Sequence, residues 1–133
     1  MIAEKTSFLI LSYSPETEIL ELEWLAKTSE MTDKEFQEQV LLENKMLLKH
    51  KPKKILAKTL QMEYTISPDE QEKHNDIILP TFKAIGLEKL AIVVSHDLFT
   101  QVSISQILDD DTTAGYQSNY FEDITSATAW LSE

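Results

Sequence analysis

Gly86-Leu87-Glu88-Lys89-Leu90-Ala91-Ile92-Val93-Val94-Ser95-His96-Asp97 is the stretch whose reading decides the fold class. Leu90 to Val94 is apolar and rich in β-branched residues, and Gly86 and His96 bound it. It reads as a buried strand. A helical segment from Asp97 to about Leu108 follows, and Asp109 to Gly115 is an acidic loop. Gln117 to Phe121 reads as a short strand. Asp123 to Ser132 closes the chain as a helix, burying Ile124, Ala127, Trp130 and Leu131. Strand, helix, strand and helix make a βαβα unit, and a helix between two strands of one sheet requires parallel pairing.

Upstream, Thr6 to Ser14 reads as a strand, and Ser14-Pro15-Glu16-Thr17-Glu18 as a turn. Ile19 to Leu25 is a second strand, in which Leu20, Leu22 and Trp24 alternate with Glu21 and Glu23. That alternation implies one buried and one wet face. Thr32-Asp33-Lys34-Glu35 is a capping box that opens a helix to about His50, where Lys49 and Lys51 suit the dipole and Pro52 stops it. On a helical wheel Phe36, Val40, Leu41, Leu47 and Leu48 form its apolar face, with Asn44 among them. Leu42 and Met46 fall on the solvent side. Lys54 to Thr59 is a third strand. Gln61 to Ile66 can extend that strand or form a loop. Ser67-Pro68-Asp69-Glu70 starts a second helix, with Ser67 as cap and Glu70 completing the box. It carries Ile77, Ile78, Phe82 and Ile85 and ends at Gly86, with a kink or restart expected before Pro80. The order is ββαβαβαβα. The expectation is a single α/β domain spanning 1–133, a mixed five-stranded sheet with helices packed against it.

Composition narrows the function classes. The chain has 133 residues, no cysteine and only two glycines, 12 basic residues against 23 acidic ones and a net charge of −11. Without cysteine there is no disulfide, thiolate metal site or cysteine nucleophile. Every basic residue is lysine, so no guanidinium fork exists for phosphate or guanine. The negative charge repels polyphosphate, so nucleic-acid binding is not expected. The apolar run from Phe8 to Leu11 is too short to span a membrane or serve as a secretion signal, which places the protein in the cytoplasm. Charge is also uneven. Lys45, Lys49, Lys51, Lys53, Lys54 and Lys58 cluster, and from Leu90 onward there is no basic residue.

The element order and several short segments resemble the STAS-like, or SpoIIAA-like, group of small bacterial proteins. Those segments are Met31 to Phe36, Ile66 to Gln71, Leu79-Pro80 ahead of Gly86 to Val93, and Tyr120-Phe121 ahead of Ala127, Trp130 and Leu131. The resemblance implies that fold and a regulatory, partner-binding role. Members that oppose anti-sigma factors are phosphorylated on serine in an Asp-x-Ser-x-Gly turn after the third strand. Here Ala57-Lys58-Thr59-Leu60-Gln61 stands in that place without such a turn, and Ser67 is the nearest topological equivalent. The lipid-binding side of the group implies a lipid or other apolar ligand without a residue here that carries it over; the apolar Met62, Tyr64 and Ile66, in the unassigned segment, are a separate motive for a carrier.

Few constellations carry chemistry. Ser95-His96-Asp97 ends a parallel strand, where open α/β sheets place ligands. Contiguous residues leave a strand on opposite faces and do not form a relay, so Asp97 is expected to cap the next helix. His96 remains a candidate ligand contact. Glu70 and His74 stand one helical turn apart but lack further metal ligands. Asp109-Asp110-Asp111 lacks the spacing of a calcium loop. No glycine-rich phosphate loop is present. The expectation is a non-catalytic regulatory or protein-interaction module with no cofactor or metal. Its contact surface would run from Thr59 through Ser67 to Glu70, with Leu42 and Met46 as a second contact. The alternative is a carrier of a lipid or other apolar small molecule. A homodimer could form through the edge of the opening hairpin.

Overall fold

The computed structural model describes residues 2–99 and 115–133. The expected helix from Asp97 lies outside the described residues beyond its first turn, and Asp109 to Asp111 lie outside them entirely.

The described chain forms one mixed sheet in the order β1-β2-β3-β4-β5-β6. The strands are β1 (Ile2–Lys5), β2 (Leu9–Ser14), β3 (Ile19–Trp24), β4 (Lys54–Lys58), β5 (Lys89–Val93) and β6 (Gln117–Phe121). The first three pair antiparallel, and β3 to β6 pair in parallel. The sheet therefore has six strands, not five. The expected strand from Thr6 to Ser14 begins at Leu9, and Ile2–Lys5 folds back on it as a further strand. Thr6 makes that reversal, since its Oγ1 accepts from the amides of Phe8 and Leu9, at 3.1 Å each. β1 thereby covers the hairpin edge expected to pair with a second copy.

Each parallel step moves one strand further in the same direction. With one crossover handedness, successive helices fall on the same face. Helices α1 (Asp33–His50) and α2 (Pro68–Ile85) do so, packing over Leu9, Leu11, Tyr13, Leu20, Leu22, Trp24, Ile55 and Ala57. Helix α3 (Ile124–Leu131) follows the last strand, needs no crossover, and covers the opposite face over Leu56, Ala91 and Val93. β4 and β5 are thus buried on both faces and read as continuous apolar runs. On β3 the half-buried Glu21 and Glu23 alternate with core residues, Ile19 on their face packs against the cluster under α3, and Glu21 pairs with Lys58 at 3.0 Å.

The core face of α1 is rotated from the expected one. Met46 is buried and Leu42 packs on the core, whereas Leu41 and Leu48 are exposed. Burial follows Phe36, Gln39, Val40, Glu43, Met46 and Leu47, a stripe with two polar members. An apolar count along the wheel discards those two, and so tilts the apparent face toward Leu41. Pro80 lies inside α2, which runs unbroken from Pro68 to Ile85. The helix therefore does not restart at Leu79, and Pro80 and Asp76 sit on the exposed side, where water can satisfy the released carbonyl. Gly86 ends α2 at φ +69°, a left-handed position that suits glycine. Ile124 is exposed rather than buried, while Ala127 and Leu131 are buried as expected.

Two lysines close the last helix. Lys54 donates to the carbonyl of Leu131, and Lys89 to those of Trp130 (2.8 Å) and Glu133 (3.1 Å). The Lys89 ammonium also lies 4.9 Å from the centre of the Trp130 ring. Cations at a helix C-terminus meet the negative end of its dipole. The double substitution Lys54→Met, Lys89→Met is expected to fray α3 and cost about 1–3 kcal/mol. Trp130 is the reporter, and an unchanged emission maximum and denaturation midpoint would refute the capping role.

Candidate functional site

The C-terminal ends of β3 to β6 share one edge of the sheet. At that edge begin α1, α2, the helical turn at 96–99, and α3. Each start is built locally. Thr32 Oγ1 accepts from Glu35 N and the Glu35 carboxylate accepts from Thr32 N, so the first capping box forms as expected. Ser67 Oγ accepts from Glu70 N at 3.2 Å. The second box does not close. Glu70 is only 4% exposed, and its carboxylate accepts from Gln37 Nε2 at 3.0 Å to each oxygen and from Lys73 at 3.5 Å. It ties α1 to α2 instead of returning to its own cap. Asp123 Oδ1 accepts from Ser126 N at 2.7 Å and caps α3.

Trp24, Phe36, Tyr64 and His74 stack beside these starts. Phe36 lies 5.7 Å from Trp24, 4.9 Å from Tyr64 and 6.5 Å from His74, centre to centre. Tyr64 donates to Asp33, and desolvation, then this hydrogen bond, hold its phenol above its ordinary range. The segment 61–66 adopts neither helix nor strand. Met62, Tyr64 and Ile66 pack from it onto the core, so the residues considered for an apolar ligand are engaged in internal contacts. Thr28 anchors the same segment, accepting from Glu63 N at 2.8 Å while donating to Leu25 O at 2.7 Å. Nothing in the sequence around Thr28 marks this anchor, because Glu63 lies 35 positions away in the chain.

The other candidates fall at the same edge. Thr59 Oγ1 donates to Val93 O at 2.8 Å, stapling the end of β4 to β5. Ser95, rather than Asp97, caps the following turn: its Oγ accepts from Leu98 N at 3.4 Å, and its carbonyl from Phe99 N at 2.8 Å. His96 is exposed and its Nδ1 lies 3.0 Å from Glu122 Oε2. That hydrogen bond, then the Coulombic attraction of Glu122, raises the imidazole pKa. Beside the pair, an open cleft of about 400 Å³ is lined by residues including Phe99, Tyr120, Glu122, Asp123 and Ser126. The edge therefore joins Thr59, Ser67, Glu70 and His96 but not Leu42 or Met46, which belong to the core under α1. His74 Nδ1 pairs with Asn75 Oδ1 at 3.0 Å, away from the inward-turned Glu70. Among the described residues no group of three or more His, Asp or Glu is placed to hold a metal ion.

Electrostatically the edge is acidic. Glu23, Glu30, Asp33, Glu35, Glu63, Asp69, Asp97, Glu122 and Asp123 lie on it or on the first helical turns, against Lys5, Lys27, Lys34 and Lys58. Lys27 lies 3.9 Å from Glu30. Carboxylates at helix starts are favoured by the helix dipole, which partly offsets their mutual repulsion.

Fold and edge together define an α/β domain whose helices open toward an acidic rim. None of its helices is long and apolar enough to cross a membrane, among the described residues. Compared with known protein families, curated proteins and solved structures, the chain finds no match in any of the three.

Proposed function

We propose that this chain is a non-catalytic regulatory or protein-interaction module of STAS-like type, working in the cytoplasm through its acidic rim. The observation that carries the reading is the gathering of carboxylates at the C-terminal edge of the parallel strands. Helix starts and the β-strand frame hold them in place, and a fixed charged rim steers and orients a partner of opposite sign. The partner would be a protein presenting lysine or arginine at its contact face. The rim includes the Thr59 to Glu70 surface expected from the sequence. The resemblance to STAS-like proteins points to the same kind of role.

The test is gentle isolation of the chain from its own host, with native mass spectrometry of the product. A stoichiometric basic partner, released by salt and lost in the Glu63→Lys, Asp97→Lys variant, is the expected result. Both positions are exposed, so the double variant should fold normally. A chain that emerges alone at low salt would overturn the reading. A labile small-molecule mass would favour the alternative carrier, for which the cleft beside His96 and Glu122 offers room.

A further inference from the structure

The outer surface of α1 and α2 holds a second pattern, which shares Asp33, Lys34 and Asp69 with the acidic rim. The two helices pack side by side, joined by Gln37 with Glu70 at one end and by Thr81 donating to Asn44 further along. Outside that seam, Leu41 is 56% exposed and Leu48 49%. They are seven residues apart and so share one stripe of α1. Across the seam α2 presents half-buried Ile77 and exposed Pro80 and Ala84. Large apolar side chains repeated along one exposed helical stripe mark a contact surface.

The charges around this stripe divide cleanly along its length. On the C-terminal halves the exposed ionisable residues are Lys45, Lys49, Lys51 and Lys83, with no exposed acid among residues 43–51 and 77–85. On the N-terminal halves, exposed Asp33, Glu38, Asp69, Glu72 and Asp76 outnumber Lys34 and Lys73. Lys73 is in addition engaged by Glu70 at 3.5 Å. One face therefore carries an acidic half that contains Leu41 and a basic half that contains Leu48.

We propose that this face binds a second copy of the chain, with the two helical layers antiparallel about a two-fold axis midway between Asn44 and Lys45. Leu41 and Leu48 are equidistant from that point, so Leu41 of each copy meets Leu48 of the other. The basic half of each copy meets the acidic half of the other. Such a contact is isologous and closed, and it stops at a dimer. Parallel pairing would oppose like charges, so charge selects the antiparallel arrangement. The net charge of −11 opposes association at long range. At about 0.15 M salt, however, the screening length of about 8 Å weakens that repulsion more than contacts across the interface. A single helical layer buries less than a standard interface, so the dimer should be reversible, with a Kd on the order of micromolar.

Sedimentation equilibrium of the full chain, from about 1 to 200 μM, should show a monomer–dimer equilibrium. Leu41→Glu should weaken it by about tenfold or more, with an unchanged circular-dichroism spectrum because the side chain is exposed. Two charge variants make the sharper test. Lys45→Glu with Lys49→Glu removes the basic excess of one half, and Glu38→Lys with Asp76→Lys removes the acidic excess of the other. Each variant alone should dimerise more weakly than the native chain, and an equimolar mixture should recover association as a heterodimer. A native chain that stays monomeric throughout, a dimer indifferent to Leu41→Glu, or a mixture that fails to associate would each overturn the proposal.

Discussion

Phe36→Ala is expected to cost about 3–5 kcal/mol in denaturant unfolding, the range for deleting a fully buried aromatic ring. Phe36 is 1% exposed and touches rings from three other elements: Trp24 at the end of β3, Tyr64 in the segment before α2, and His74 within α2. Its removal leaves a cavity that no single neighbour can fill, because those rings are tethered by different parts of the chain. Tyr64 would lose its stacking partner while still donating to Asp33. Amide exchange in 60–66 should therefore accelerate more than in β4. Leu41→Ala on the same helix, measured at a concentration where the chain is monomeric, serves as control and should stay within about 0.5 kcal/mol. A cost below about 1 kcal/mol for Phe36→Ala would mean that this ring cluster does not form.

Glu43→Gln is expected to stabilise the protein at pH 8 by up to about 3 kcal/mol, and to be nearly neutral near pH 4.5. Glu43 is 4% exposed on the core face of α1. Its carboxylate makes no hydrogen bond among the described residues. Desolvation raises its pKa from the ordinary 4.5 to about 7. The folded chain then keeps a proton that the unfolded chain has released between pH 4.5 and about 7. Native stability accordingly falls as pH rises across that window and levels off above it. At about 1.4 kcal/mol per pH unit, the full effect is about 3 kcal/mol. Glutamine has nearly the same shape and no charge, so it removes the penalty at high pH and changes little where the acid is already neutral. Urea midpoints of both proteins at pH 5 and pH 8 check this. Equal differences at the two pH values would show that Glu43 is not titrating in the folded core.

Both predictions concern α1, the element on which sequence reading and structure diverge most. Its boundaries were legible, because Thr32, Glu35 and Pro52 act on neighbours within four residues. Its orientation was not, because Gln39 and Glu43 occupy core-facing positions that an apolar count assigns to solvent. Gln39 is accommodated by Thr6, whose hydroxyl donates to its side-chain oxygen at 2.6 Å. Thr6 belongs to the turn before β2, 33 positions away in the chain. Glu70 shows the same limit at the candidate site. Its spacing from Ser67 fits a capping box, yet Gln37 on another helix takes up its carboxylate.

Local patterning was enough for the α/β class, the parallel run of β4, β5 and β6, the starts of α1 and α2, and the excess of acid. These follow from periodicity, local capping and charge, which act over a few residues or over the whole composition. Long-range packing set the fold-back of β1 onto the hairpin, the parallel pairing of β3 with β4, and the placement of α3 on the face opposite α1 and α2. It alone gathered the acids of four loops and helix starts at one edge, and placed Leu41 and Leu48 outside the core. Each of those outcomes depends on which distant partner satisfies a buried polar group or covers an apolar face. Packing settles that choice, and spacing along the chain does not encode it.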